Sequence, residues 1–157
     1  MSADSLIRVD LSVDADVDPE LVPDAALLRR WIANALGPRE HPTVIDLRVV
    51  GEAAMTELNG TFRGKARPTN VLSFPAEPLP GGEFPILGDL ALCAPVLARE
   101  ATEQGKPLDH HWAHLLTHGV LHLLGHDHQD ETEAERMEAL EIERLAALGI
   151  PDPYGDD

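Results

Sequence analysis

The chain has 157 residues and a formal net charge of −16, with 43% hydrophobic residues but only 4% aromatic ones. That length favours one domain, residues 1–157, with a core of Leu, Val, Ile and Ala. No apolar run approaches the ~18 residues of a membrane span, no basic and apolar leader opens the sequence, and the one cysteine, Cys93, cannot form an intramolecular disulfide. A cytoplasmic protein with no membrane partner is expected, with Cys93 as a small buried residue. The acidity argues against a polyanionic partner, but it is unevenly spread. Residues 1–24 sum to −6 and residues 130–157 to −8, so 25–129 carries only −2 and holds the densest basic run, Arg63, Lys65 and Arg67. Acidic ends such as 1–24 and 149–157 serve solubility more often than function.

The alternation of Ile7, Val9, Leu11 and Val13 predicts a strand over 5–13 with one buried face. Helical spacing through Leu27, Leu28, Trp31, Ile32 and Ala35 predicts a helix over 24–36, with Asp24 as N-cap and Gly37-Pro38 as the stop. TVIDLRVV at 43–50 reads as a second strand, and 51–60 as a short helix with Ala54, Met55 and Leu58 inward. A basic loop follows, then a β-prone run from Thr69 to Phe74. Residues 75–85 hold four Pro and two Gly and form a loop. ILGDLAL at 86–92 is another strand; 94–104 is a helix closed by Gly105, and a longer helix spans about 107–124, ended by Gly125. Asp130 with Glu133 makes a capping box for a last helix over about 131–148. The fold is therefore α+β: about four strands in one mixed sheet, packed with helices.

The segment THGVLHLLGHDH, 117–128, carries the chemistry. His118 and His122 are four apart on a helix and share a face, which suits two ligands of one tetrahedral ion. A third ligand further along the same helix would lie too far away, but Gly125 lets the chain turn and brings His128 into reach. The metal site thus falls on the penultimate helix and the turn after it. Three protein ligands leave an open position for water, the pattern of a catalytic zinc ion, one per chain. The alternative is a merely polar, His-rich helix, since His110, His111, His114 and His126 lie in the same stretch. His114, one turn before His118, either competes as a ligand or packs and orients the site. Asp127 either hydrogen-bonds a ligand imidazole or caps the turn. Ser73 reads as a structural strand residue or as a donor into the cleft. Phe74, Trp31 and Trp112 read as core.

The H-x3-H-x5-H spacing fits a zinc peptidase, but Gly119 stands where such an enzyme carries its Glu general base. A phosphodiester is the competing substrate. Its transition state needs a cation beside it, for which Arg63 is a candidate; a solvated loop residue or the partner of a carboxylate is the bland alternative. HGVLHLLGHDH at 118–128 resembles the signature of the YbeY endoribonuclease family, bacterial proteins involved in ribosomal RNA maturation. NGTFRGKARPTNVLSFP at 59–75, LGDLAL at 87–92 and the region of Met137-Glu138 are similar to further blocks of that family, so the resemblance covers about 40–145. It implies a zinc-dependent, single-strand-specific endoribonuclease acting on rRNA precursors and defective ribosomes, with His118, His122 and His128 as ligands and Arg63 near the metal. Lys65 and Arg67 would then hold flanking phosphates. Two departures stand out: Asn70 where the family usually has Asp, and His126 where it usually has Tyr. The acidity predicts weak, salt-sensitive RNA binding by the isolated chain, so the small ribosomal subunit or an assembly GTPase is expected to supply affinity. The remaining alternatives are a non-catalytic zinc module for ribosome assembly and a metallopeptidase.

Overall fold

Strand β1 is Ile7–Val13, and Asp18 caps a single turn of 3-10 helix, Pro19–Leu21, before helix α1, Ala25–Leu36. Strand β2 is Thr43–Val50, helix α2 is Glu52–Arg63, and strands β3 and β4 are Val71–Pro75 and Ile86–Cys93. Helices α3, Ala94–Gln104, α4, Leu108–Leu123, and α5, Glu131–Ala147, complete the chain. This is a computed structural model, and it describes residues 6–39, 41–76, 86–126 and 130–154. The sheet order is β1-β2-β4-β3: the first three strands run parallel, and β3 lies antiparallel to β4 at the edge. The α+β class and the mixed four-stranded sheet are as the hydrophobic patterning predicts.

Period-two alternation assigns the faces. Ile45, Leu47 and Val49 of β2, with Leu90 and Leu92 of β4, join the main core, which takes in Leu28 and Ile32 of α1, Trp112 and Leu116 of α4, and Leu145 of α5. The intervening residues face the other way. There Val50, Leu72, Ala91 and Cys93 form a smaller cluster with Met55 of α2. Cys93 is fully buried, and that burial pushes its thiol pKa up, as befits an inert residue. Trp31 and Trp112 are core residues, but Phe74 is only half-buried. Among the described residues no helix is long and apolar enough to cross a membrane.

Most boundaries fall within two residues of the sequence reading, and three features differ. Helix α2 runs on to Arg63, so Thr61–Arg63 are helical and not loop. The stop signal is Gly64, not Gly60: Gly64 takes the left-handed conformation (φ 70°) and its N–H reaches the carbonyls of Asn59 and Gly60. Asp24 occupies the N-cap position of α1 but makes no side-chain cap hydrogen bond. The 3-10 turn at 19–21 had no sequence signal beyond Asp18 and Pro19. Asp130 does cap α5, accepting from Glu133 N–H at 2.7 Å. Of the loop expected at 75–85, residues 77–85 lie outside the described residues.

Candidate metal centre and adjoining cleft

Helix α4 is apolar around most of its circumference because it lies between the sheet and the other helices. It packs tightly on the sheet at Gly119. A Cβ there would come within 2.8 Å of Leu90 Cδ2 and 3.4 Å of both Val71 Cγ2 and Ser73 Oγ. The position that would carry a peptidase's Glu therefore faces the sheet, where even a Cβ would require the Leu90 side chain to shift. Ser73 reinforces the contact by donating its hydroxyl to the Gly119 carbonyl at 3.2 Å. The serine's one proton thus braces β3 against α4.

The next residue round the helix, His118, faces out of this packed seam, and His122 follows one turn later. Their ring centroids are 4.7 Å apart with planes at 76°. His118 Nδ1 lies 2.9 Å from Glu141 Oε1. A carboxylate at that distance accepts a hydrogen bond from Nδ1–H, which leaves the lone pair of the neutral ring on Nε2. Glu141 is 1% exposed. It also meets His114 Nε2 at 3.2 Å and accepts from the Tyr154 hydroxyl at 2.8 Å. Burial alone would raise the Glu141 pKa, but the hydrogen bonds from His114, His118 and Tyr154 outweigh it and bring it down to about 2. Tyr154 responds in the opposite sense: burial and the Glu141 contact push its pKa well up. His114 points at Glu141 and lies 3.3 Å from the Tyr154 hydroxyl.

After His122 the chain turns as the spacing requires. Gly125 has φ 99° and the His126 N–H bonds back to the Leu121 carbonyl at 3.0 Å. His128 and Asp127 lie outside the described residues. Among the described residues no group of three or more His, Cys, Asp or Glu is placed to hold an ion. The pair His118 and His122, with a carboxylate fixing the tautomer of the first, nevertheless has the donor chemistry that a borderline-soft divalent ion takes.

The histidines open into a cleft of about 500 Å³ that straddles edge strand β3. Ser73 and Val71 face the α4 side; Leu72 and Phe74 face the α2 side. Arg63 lines the same cleft from the last turn of α2, where a cation is favoured by the helix dipole. It is exposed and pairs with no carboxylate among the described residues. Lys65 and Arg67 do not line this cleft. They line an adjoining groove of about 410 Å³ that meets it at Arg63, Thr69 and Asn70. Asn59 shapes the connection: it is buried, and its Nδ2 donates to the Arg67 carbonyl at 2.9 Å.

Asn70 is tied to a carboxylate and not to an arginine. Its Oδ1 accepts from Val71 N–H at 2.7 Å, and its Nδ2 donates to Glu100 at 3.2 and 3.3 Å. Glu100 also meets His111 Nε2 at 2.9 Å. An Asp at 70 would set two carboxylates together, so the amide suits this chain's own neighbour. Sequence reasoning missed Glu141, Tyr154 and Phe62. Glu141 had a signal: Met137, Glu141 and Leu145 share the buried stripe of α5, and a carboxylate in such a stripe demands a partner. Tyr154 had none.

Comparison with known proteins relates the chain to a family. A family model described as Endoribonuclease YbeY matches residues 21–149. Proteins named endoribonuclease YbeY are 52% identical to this chain in Pseudomonas entomophila (154 residues, 97% of this chain and 96% of the relative) and in Stenotrophomonas maltophilia (155 residues, 96% of each). A Thermotoga maritima protein solved in solution is similar in fold, with a TM-score of 0.51 and 22% identity over 96% of this chain and 99% of the other.

Proposed function

The chain belongs to the YbeY endoribonuclease family, and from that premise we propose that it is a hydrolase cutting RNA in ribosomal RNA processing, with a histidine-bound zinc ion and Arg63 meeting at one scissile phosphodiester. The observation that carries this reading is the shared cleft: Arg63 from α2 and His118 and His122 from α4 line the same space although they are distant in sequence. His118, His122 and His128 would hold the zinc, which when bound supplies a Lewis acid and an acidified water. Glu141 holds the His118 ring in one tautomer, and Ser73 keeps α4 seated on β3. Arg63 offers its planar guanidinium to the phosphate oxygens and stabilises the charge that grows there as the bond to the leaving oxygen breaks. Lys65 and Arg67, in the adjoining groove, neutralise phosphates further along the strand.

The substrate class proposed is single-stranded RNA, in rRNA precursors and in defective ribosomes, within the cytoplasm. The net charge of −16 makes the isolated chain a weak binder, so the small ribosomal subunit or an assembly GTPase supplies affinity. Gly119, seated against Leu90, speaks against a metallopeptidase. A purely structural ion in an assembly module would be four-coordinate, and an exposed Arg63 in the cleft has no use in such a module.

The test compares wild type, His118→Ala and Arg63→Ala for bound zinc and for cleavage of a single-stranded rRNA fragment. Wild type should bind one zinc and cut. His118→Ala should lose both metal and activity, and Arg63→Ala should keep the metal and stop cutting. Equal cutting by all three proteins would sink the reading.

A further inference from the structure

Phe62 keeps 61% of its surface exposed. It stands one residue before Arg63 in the last turn of α2, and its ring meets Phe74 edge-on, with centroids 4.9 Å apart and planes at 61°. Phe74 is anchored against the small cluster under α2, so it acts as a post on which Phe62 rests. Both rings line the cleft that holds Arg63, His118 and His122. A single exposed ring is ordinary on a protein surface, but this one is held edge-on by a second ring at the mouth of the cleft, which leaves a flat apolar face open to an occupant.

The surroundings say what fits. The same two rings border a hollow of about 570 Å³ over the open face of the sheet, where Asp10, Asp46 and Asp89 stand in register on adjacent strands. On the opposite flank, Arg63 is shared with the groove holding Lys65, Arg67 and Arg99. Glu100 and Glu103 also line that groove, but Glu100 is engaged by Asn70 and His111. Arg48 also lines the hollow but is held by Asp14, Arg8 pairs with Asp10, and Arg99 is held by Glu52. The aromatic pair therefore sits between Asp46 and Asp89 on one side and, on the other, Arg63, Lys65 and Arg67, which pair with no carboxylate among the described residues. A phosphate chain is repelled from the first and drawn to the second. The occupant needs a flat face for the ring and a phosphate for the neighbouring arginine.

We propose that Phe62, backed by Phe74, is the stacking platform for one unpaired nucleobase, and that the strand leaves the cleft past Arg63 toward Lys65 and Arg67. This rests on the RNA-cleaving reading above and deepens it. A base inside a duplex has no free face to offer, so the platform is a physical source of single-strand preference.

The experiment uses the full chain with Phe62→Ala, Phe62→Leu and Phe62→Trp, a single-stranded oligoribonucleotide, and the same strand annealed to its complement. Phe62 is mostly exposed, so all three variants should stay folded, with Tm lowered only slightly where Ala or Leu loses the edge-on contact with Phe74. Ala and Leu should weaken single-strand binding and raise KM by roughly tenfold to a hundredfold, the size of one aromatic–base stack, with kcat little changed. Trp should restore affinity, and its emission should be quenched by the single strand and not by the duplex; Trp31 and Trp112 are buried and contribute no such signal. A Leu variant equal to wild type would mean simple apolar contact and would overturn the platform, as would an Ala variant with unchanged KM. Equal quenching by duplex would overturn the single-strand preference. A wild-type chain that neither binds nor cuts RNA would bring down this inference and the functional reading together; a cutting wild type indifferent to residue 62 would bring down the platform alone.

Discussion

The two flanks of the cleft are built on opposite principles. On the α4–α5 flank, His118 is held by Glu141, itself 1% exposed and met also by His114 and Tyr154. On the α2 flank, Arg63, Lys65 and Arg67 stand in solvent. A group that must offer one lone pair in one direction gains from a buried, fully hydrogen-bonded setting, because its orientation is then set before any ligand arrives. A group that must meet a phosphate gains from the reverse. Burying a guanidinium demands a carboxylate partner, and that partner would compete with the substrate. The first flank is consequently coupled to the stability of the fold, and the second is not.

The strongest way to break that contrast is Glu141→Leu. It leaves His114, His118 and Tyr154 without their shared acceptor. His114, the most enclosed of the three, bears the ~1–3 kcal/mol of a buried unsatisfied group, while water can reach the more exposed His118 and Tyr154. Denaturant titration of the metal-free chain should show a loss of ~2–3 kcal/mol, with Glu141→Gln recovering part of it. An unchanged midpoint would mean the network carries no stability. Gly119→Ala should follow at ~1–3 kcal/mol, the usual range for overpacking, since the new methyl meets Leu90 Cδ2 at 2.8 Å. A neutral result in the same titration would show that α4 can ride up from the sheet without penalty.

A subtler effect belongs to His111, buried in α4 beside Glu100, with His114 and Lys106 also near it. Burial lowers its pKa below the ordinary 6.5, and this outweighs the upward pull of Glu100. The unfolded chain therefore takes up the proton first as pH falls. This contribution to stability is complete above pH 6.5 and is lost progressively below it. Stability measured between about pH 7 and pH 5.5 should decline with falling pH in wild type and decline less in His111→Gln; parallel profiles would refute the assignment. The smallest expected change is for Arg63→Ala. Its stability should stay within ~0.5 kcal/mol of wild type, the range for an exposed residue with no partner. A large loss would show that the exposed flank is structural after all.

These effects also mark what could be read from the chain alone. The i, i+4 pair His118 and His122, the turn at Gly125 and the cap at Asp130 follow from helix geometry and local side-chain chemistry, so periodicity exposes them. The class of the sheet follows from alternation in TVIDLRVV and ILGDLAL. Arg63 was visible as a cation, but its place at a helix end was not: two glycines, Gly60 and Gly64, offered rival stops, and the choice depends on which one adopts positive φ. Asn70 reads in the sequence only as a departure from the family's Asp, and its bond to Glu100 is a tertiary contact. Phe74 read as core because a phenylalanine in a short strand usually is.

Residue types and spacing determined the α+β class, the histidine pair and the turn that follows it, because these are set by contacts within a few residues. Tertiary structure decided that Gly119 faces the sheet, that Glu141 from the last helix fixes His118, and that Phe62 and Arg63 share a cleft with the histidines. Each of those depends on elements distant in sequence meeting across the edge of one sheet. Their partners are chosen by how helices and strands pack, and no local pattern records that choice.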